Sequence, residues 1–79
     1  MSTTLARLPH RVRARILAVG GERGFRRRLL ELGFLPGVEL QVIGRAPLGD
    51  PLDVRVRGGR YSLRAAEAEA IAVAPIEEA

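Results

Sequence analysis

Apolar and polar residues alternate along most of this chain, and one stretch breaks the alternation with a helical period. Val12, Ala14 and Ile16 alternate with Arg11, Arg13 and Arg15, as in a half-buried strand. Val38, Leu40 and Val42 face one way while Glu39 and Gln41 face the other. Leu52, Val54 and Val56 repeat this against Asp53, Arg55 and Arg57. Tyr61 and Leu63 do so against Arg60, Ser62 and Arg64, with Gly58-Gly59 as a hairpin loop before them. Ile71 and Val73 form a last short strand, ended by Pro75. Between the first two strands, Phe25, Leu29 and Leu32 fall at i, i+4 and i+7, one apolar stripe of a helix. Arg26, Arg27, Arg28 and Glu31 lie off that stripe, and the helix is predicted near residues 23–33. Residues 65–70 predict one further helical turn. The expected fold is mainly β: a small, closed, five-stranded barrel with one α-helix inserted after the first strand and a helical turn before the last. Closing the sheet removes the edges that a small open sheet would expose.

Two motifs join these elements. LLELGFLPG at 29–37 is a helix end running into a turn. Gly33 stands where the chain needs a positive φ, and Phe34 can fold back onto Leu29 beside that cap. Pro36 and Gly37 fit the two central positions of a type II turn. The second motif, RAPLGDP at 45–51, is a stiff loop between strands. Pro47 and Pro51 remove backbone donors and bias Ala46 and Asp50 toward extended conformations, while Gly49 permits the bend. Leu48 sits at the exposed tip.

A length of 79 residues allows one domain, taken as residues 1–79 with an ordered core at about 5–75 and frayed ends at 1–4 and 76–79. An apolar content of 47% against 28% charged supports a packed core rather than a disordered chain. With no cysteine, disulfides and thiolate chemistry are excluded. No apolar run approaches the ~20 residues of a membrane span. All 13 basic residues are arginine, and eight of them lie in residues 1–30 against a single Glu.

Taken together, the elements and motifs resemble the FeoA family, the small cytosolic component of bacterial ferrous iron uptake. The resemblance follows the order strand, helix, LxxLGFxPG, strand, APLGDP, strand, hairpin, LRxxEAxxI, strand. It rests on Leu29, Leu32, Gly33, Gly37, Ala46, Pro47, Gly49, Asp50, Pro51, Leu63, Arg64, Glu67, Ala68 and Ile71. One departure is visible: such proteins usually carry Pro-Gly before the first strand, and here Pro9 is followed by His10. The resemblance implies an SH3-like barrel with a helical insertion. A related barrel ends the iron-dependent repressors of the diphtheria-toxin-repressor type. It also implies a partner, the membrane permease FeoB with its cytosolic GTP-binding domain. The location implied is cytoplasmic, peripheral to the inner membrane through FeoB.

The residue chemistry points to binding rather than catalysis, so no enzyme activity is expected. There is one histidine, serine occurs only at Ser2 and Ser62, and a Walker-type phosphate loop needs a lysine that this chain lacks. No cofactor is expected. His10, Glu22, Asp50 and Asp53 are donors suited to Fe(II) or Zn(II), but one imidazole falls short of a closed site, and the metal site is unknown. The contact surface for FeoB is expected at Arg26 and Arg27 on the helix, with Leu48, Gly49 and Asp50 at the loop tip. The alternative function is a nucleic-acid-binding or self-associating small barrel, related to the repressor C-terminal domain. The scarcity of aromatics argues against specific nucleic-acid binding. A weak homodimer through strand edges or Leu48 is the self-associating form.

Overall fold

The computed structural model describes residues 2–76. Its strands are β1 (Thr3–Thr4), β2 (Arg13–Val19), β3 (Glu39–Arg45), β4 (Leu52–Val56), β5 (Gly59–Leu63) and β6 (Ile71–Pro75). A 3₁₀ turn, Leu5–Arg7, follows β1. Helix α1 (Arg23–Leu32) joins β2 to β3, and helix α2 (Ala65–Ala68) joins β5 to β6. Every ladder is antiparallel, in the order β1, β6, β2, β3, β4, β5.

Alternation places the core as expected. Ala14 and Ile16, Leu40 and Val42, Leu52, Val54 and Val56, Leu63, and Ile71 and Val73 are all buried. Leu5, Leu8, Leu29, Phe34 and Ala68 complete the core from the turns and helices, and no polar or charged side chain is buried among the described residues. Burying each large apolar side chain contributes about 1.5–3 kcal/mol.

The sheet differs from the expected five-stranded closed barrel in two details. It has six strands, and no ladder joins β1 to β5 among the described residues. The additional strand is β1, in which Thr3 lies opposite Val73 and Thr4 opposite Ala72. Two residues expected to fray are therefore in the sheet. A two-residue strand is too short for alternation to reveal; it forms because the edge of β6 offers unpaired backbone groups. The opening between β1 and β5 is bridged by packing and a side-chain hydrogen bond instead of a backbone ladder. The 3₁₀ turn that follows β1 lies against α2, which follows β5. Thr4 Oγ1 also donates to Glu69 Oε1 at 2.8 Å. Of the ends expected to fray, Met1 and residues 77–79 lie outside the described residues.

The hairpin loop is shifted by one residue from Gly58-Gly59. Gly59 pairs with Val56, so the loop is Arg57-Gly58, with φ of 52° and 82°. Positive φ at both positions is the type I′ turn, whose twist matches that of the strands. Gly59 is needed for a different reason. A Cβ there would lie 2.9 Å from the Tyr61 hydroxyl and 3.1 Å from its ring, which covers the glycine.

The end of α1 follows its sequence closely. Gly33 has φ 105°, Phe34 N–H donates to Leu29 O at 2.9 Å, and Gly33 N–H donates to Leu30 O at 3.1 Å. These are the two bonds of a Schellman cap. Val38 N–H then donates to Leu35 O at 3.0 Å, with Gly37 at φ 91°, as a type II turn requires. Leu32 departs from the expected stripe, being 42% exposed while Leu29 is fully buried and Phe25 half-buried. The reason is the cap itself: the chain folds back at Gly33, and Phe34 takes the core position beside Leu29.

The turn before β2 forms with His10 following Pro9. Val12 N–H donates to Pro9 O at 3.3 Å, and the left-handed position falls on Arg11, at φ 65°. Arg11 is held there at both ends. Its N–H donates to Val42 O at 2.8 Å, and its carbonyl accepts from Gln41 Nε2 at 2.6 Å. A non-glycine residue in this conformation costs about 1–2 kcal/mol. Glycine's extra freedom in the unfolded chain returns about 0.4–1 kcal/mol of that. Arg11→Gly is therefore expected to raise stability by up to about 1.6 kcal/mol, read from the urea midpoint. A lowered midpoint would show that the Arg11 side chain contributes more than its backbone strain costs.

Candidate functional site

Helix α1 starts at Glu22, whose Oε1 accepts the N–H of Gly24 at 2.8 Å. A carboxylate at that end is favoured by the helix dipole. From there Arg23, Arg26, Arg27 and Leu30 follow at i, i+3, i+4 and i+7, so they share one face. All four are exposed, and they line one surface depression with Glu31. Among the described residues, Arg23, Arg26 and Arg27 have no acidic partner.

Arg28 behaves differently from its neighbours. The periodicity placed it on the solvent face with Arg26 and Arg27, but it forms an ion pair with Glu67 at 3.0 Å. Glu67 Oε1 also accepts the N–H of Arg64 at 2.9 Å, capping α2. One carboxylate thus ties α1 to the start of α2. Glu67 falls within LRxxEAxxI and the turn expected at 65–70; nothing local marked Arg28 as its partner.

The 45–51 loop is internally braced. Gly49 N–H donates to Ala46 O at 2.7 Å, and Ala46 N–H donates to Pro51 O at 3.0 Å. The Asp50–Pro51 peptide is cis. Asp50 Oδ1 accepts the N–H of Ala65, the first residue of α2, at 3.0 Å. Leu48 projects from this support and is 96% exposed. A groove of about 640 Å³ is lined by Arg28, Leu48, Asp50, Pro51, Ser62, Arg64 and Glu67. Arg28 on α1 and Leu48 on the loop therefore border one groove, and the helix and the loop adjoin.

The candidate metal donors do not meet. His10 lies in the exposed turn before β2 and Glu22 caps α1. Asp50 is bonded to α2, and Asp53 pairs with Arg60, which holds the Arg60 guanidinium above its ordinary pKa. No group of three His, Cys, Asp or Glu arranged to hold a metal occurs among the described residues. Among the described residues, no helix is long and apolar enough to cross a membrane.

The chain matches a family model described as the FeoA domain over residues 3–75. It is 41% identical over 58 residues to a Porphyromonas gingivalis protein, the Fe(2+) transport protein A/Fe(2+) transporter FeoB fusion protein. The match covers 73% of this chain but only 7% of the length of that fusion protein. The solution structure of FeoA from Chlorobium tepidum superposes with a TM-score of 0.91 at 39% identity, covering 95% of this chain and 71% of that one. A crystal structure of Stenotrophomonas maltophilia FeoA gives a TM-score of 0.82 at 36% identity, covering 91% and 89%. That protein is complexed with zinc and is described as a prokaryotic SH3 domain protein. The SH3-like architecture is thus shared, and the donor set of this chain does not assemble a zinc site among the described residues.

Proposed function

This chain belongs to the FeoA domain family, and from that premise we propose that it is a small accessory protein of bacterial ferrous iron uptake that binds and modulates FeoB. The observation that carries the reading is the Porphyromonas gingivalis relative, in which a related segment is joined covalently to the transporter. Fusion of two functions in one chain supports association between their separate counterparts. Ferrous iron is the cargo in this reading, handled by the permease. The domain sits at the cytosolic face, peripheral to the inner membrane through FeoB.

The surface offered to FeoB is the α1 face with Arg26 and Arg27, together with Leu48, Gly49 and Asp50. Two features support the choice. Arg26 and Arg27 have no acidic partner among the described residues and can form charge-assisted bonds to carboxylates. Leu48 is an apolar knob on a braced loop, bordering a groove that Arg28 of α1 also lines, while Arg26 and Arg27 line a separate depression on the same helix. The chain acts by binding, and any GTP chemistry belongs to the partner.

The test is ferrous iron uptake in a strain that lacks its own FeoA and expresses the FeoB cognate to this chain. Supplying the unaltered chain is expected to restore uptake. Failure of a folded, expressed chain beside its cognate FeoB would overturn the assignment.

A further inference from the structure

The strand registers assemble a second basic surface that has no part in the FeoB contact described above. Arg13 lies opposite Gln41, Gln41 opposite Arg55, and Arg55 opposite Arg60. With strands ~4.8 Å apart, this row runs ~14 Å across β2, β3, β4 and β5. Arg15 lies two residues from Arg13 on β2, Arg57 stands in the hairpin turn after β4 and lines the same depression as Arg55, and all five arginines are exposed. Two acids share the face, and both are already engaged: Glu39 with Arg13 at 3.0 Å, and Asp53 with Arg60. Arg55 and Arg57 have no acidic partner among the described residues. The centre of the face is a depression of about 170 Å³, with Arg13, Gln41, Arg55 and Arg57 among its lining residues.

The fold does not require this arrangement. Arg55 sits directly opposite Arg60, and like charges at opposed positions destabilise a sheet. The outward side of β4 would accept any β-forming residue, since the core contacts of that strand come from Leu52, Val54 and Val56. With Arg13 and Arg60 paired to acids, Arg55 and Arg57 carry the positive charge of this face that no described acid neutralises.

We propose that this outer sheet face lies on an anionic phospholipid surface, with Arg55 and Arg57 on headgroup phosphates. The proposal rests on the reading above in one respect, that FeoB holds the domain beside the leaflet. Two observations favour lipid over nucleic acid. The described face presents no aromatic side chain on which bases could stack. Its row is also wider than the ~12 Å major groove, which admits a helix or a two-stranded ribbon. A planar leaflet accepts a face of this width.

The experiment is cosedimentation of the intact chain with phosphatidylcholine vesicles, with and without phosphatidylglycerol, at low and physiological salt. Binding is expected only with phosphatidylglycerol, and it weakens as salt rises. The double variant Arg55→Gln, Arg57→Gln should bind roughly thirtyfold more weakly, as expected for two arginines near an anionic leaflet. Its melting temperature should stay at or above that of the parent, because the opposed like charges are gone. The variant Arg26→Gln, Arg27→Gln should retain vesicle binding. The proposal is overturned by absence of binding to phosphatidylglycerol vesicles, by an equal loss in both double variants, or by duplex DNA displacing the vesicles at physiological salt. No FeoB is present in this assay, so its outcome is independent of the uptake test.

Discussion

Phe34→Ala will cost about 3–5 kcal/mol of folding stability, the largest loss expected from any single substitution in this chain. Phe34 is fully buried and heads the large side chains of the core. Its ring meets Tyr61 edge to face, with centroids 5.4 Å apart and planes at 67°. Such a pair adds about 0.5–1.5 kcal/mol beyond the area buried. Tyr61 in turn lies over Gly59, so removing the Phe34 ring takes away one side of a stack that also covers a strand. A domain of this size has a total stability of roughly 4–12 kcal/mol at about 0.05–0.15 kcal/mol per residue. The substitution therefore removes about a quarter or more of it. Urea unfolding followed by circular dichroism reads the change as a lower midpoint. A loss below about 1 kcal/mol would mean that the Schellman fold-back does not deliver Phe34 to the core.

The second large effect is on association with FeoB. Reversing charge at both positions, Arg26→Glu and Arg27→Glu, should slow association on the order of tenfold and flatten its dependence on salt. Both side chains are exposed, so folding should be unaffected. Leu48→Ala should act on the other rate constant. An apolar knob that is 96% exposed contributes little to folding, but its loss from a contact should speed dissociation, by on the order of 1 kcal/mol. Both rates can be followed by surface plasmon resonance with the cytosolic domain of FeoB immobilised. If the folded variants bind FeoB and restore iron uptake like the parent, the surface assigned to the partner is wrong.

Local chemistry was legible wherever the determining contact lies within a few residues. The cap at Gly33 and Phe34 closes on Leu29 and Leu30, and the Pro36-Gly37 turn closes on Leu35 and Val38. Strand parity was legible because each strand buries a single face. The sequence by itself therefore determined a mainly β domain with one inserted helix, the core residues of β2, β3, β4, β5 and β6, and the exposed Leu48 loop. Registers and long-range partners were not legible. The β2–β6 register shifts between Ile16 and Ala18, leaving Leu17 at 47% exposure, and the β3–β4 register shifts between Val42 and Gly44. A bulge answers to the twist of neighbouring strands, which no single strand encodes. Thr3 and Thr4 became a strand only because β6 had a free edge. Arg28 and Glu67 lie 39 residues apart, and Asp50 and Ala65 lie 15 apart. Those partners meet because sheet order and packing bring α1, the loop and α2 together. The arginine row across the outer face exists for the same reason: each arginine is visible in the sequence, but only the pairing of four strands aligns them.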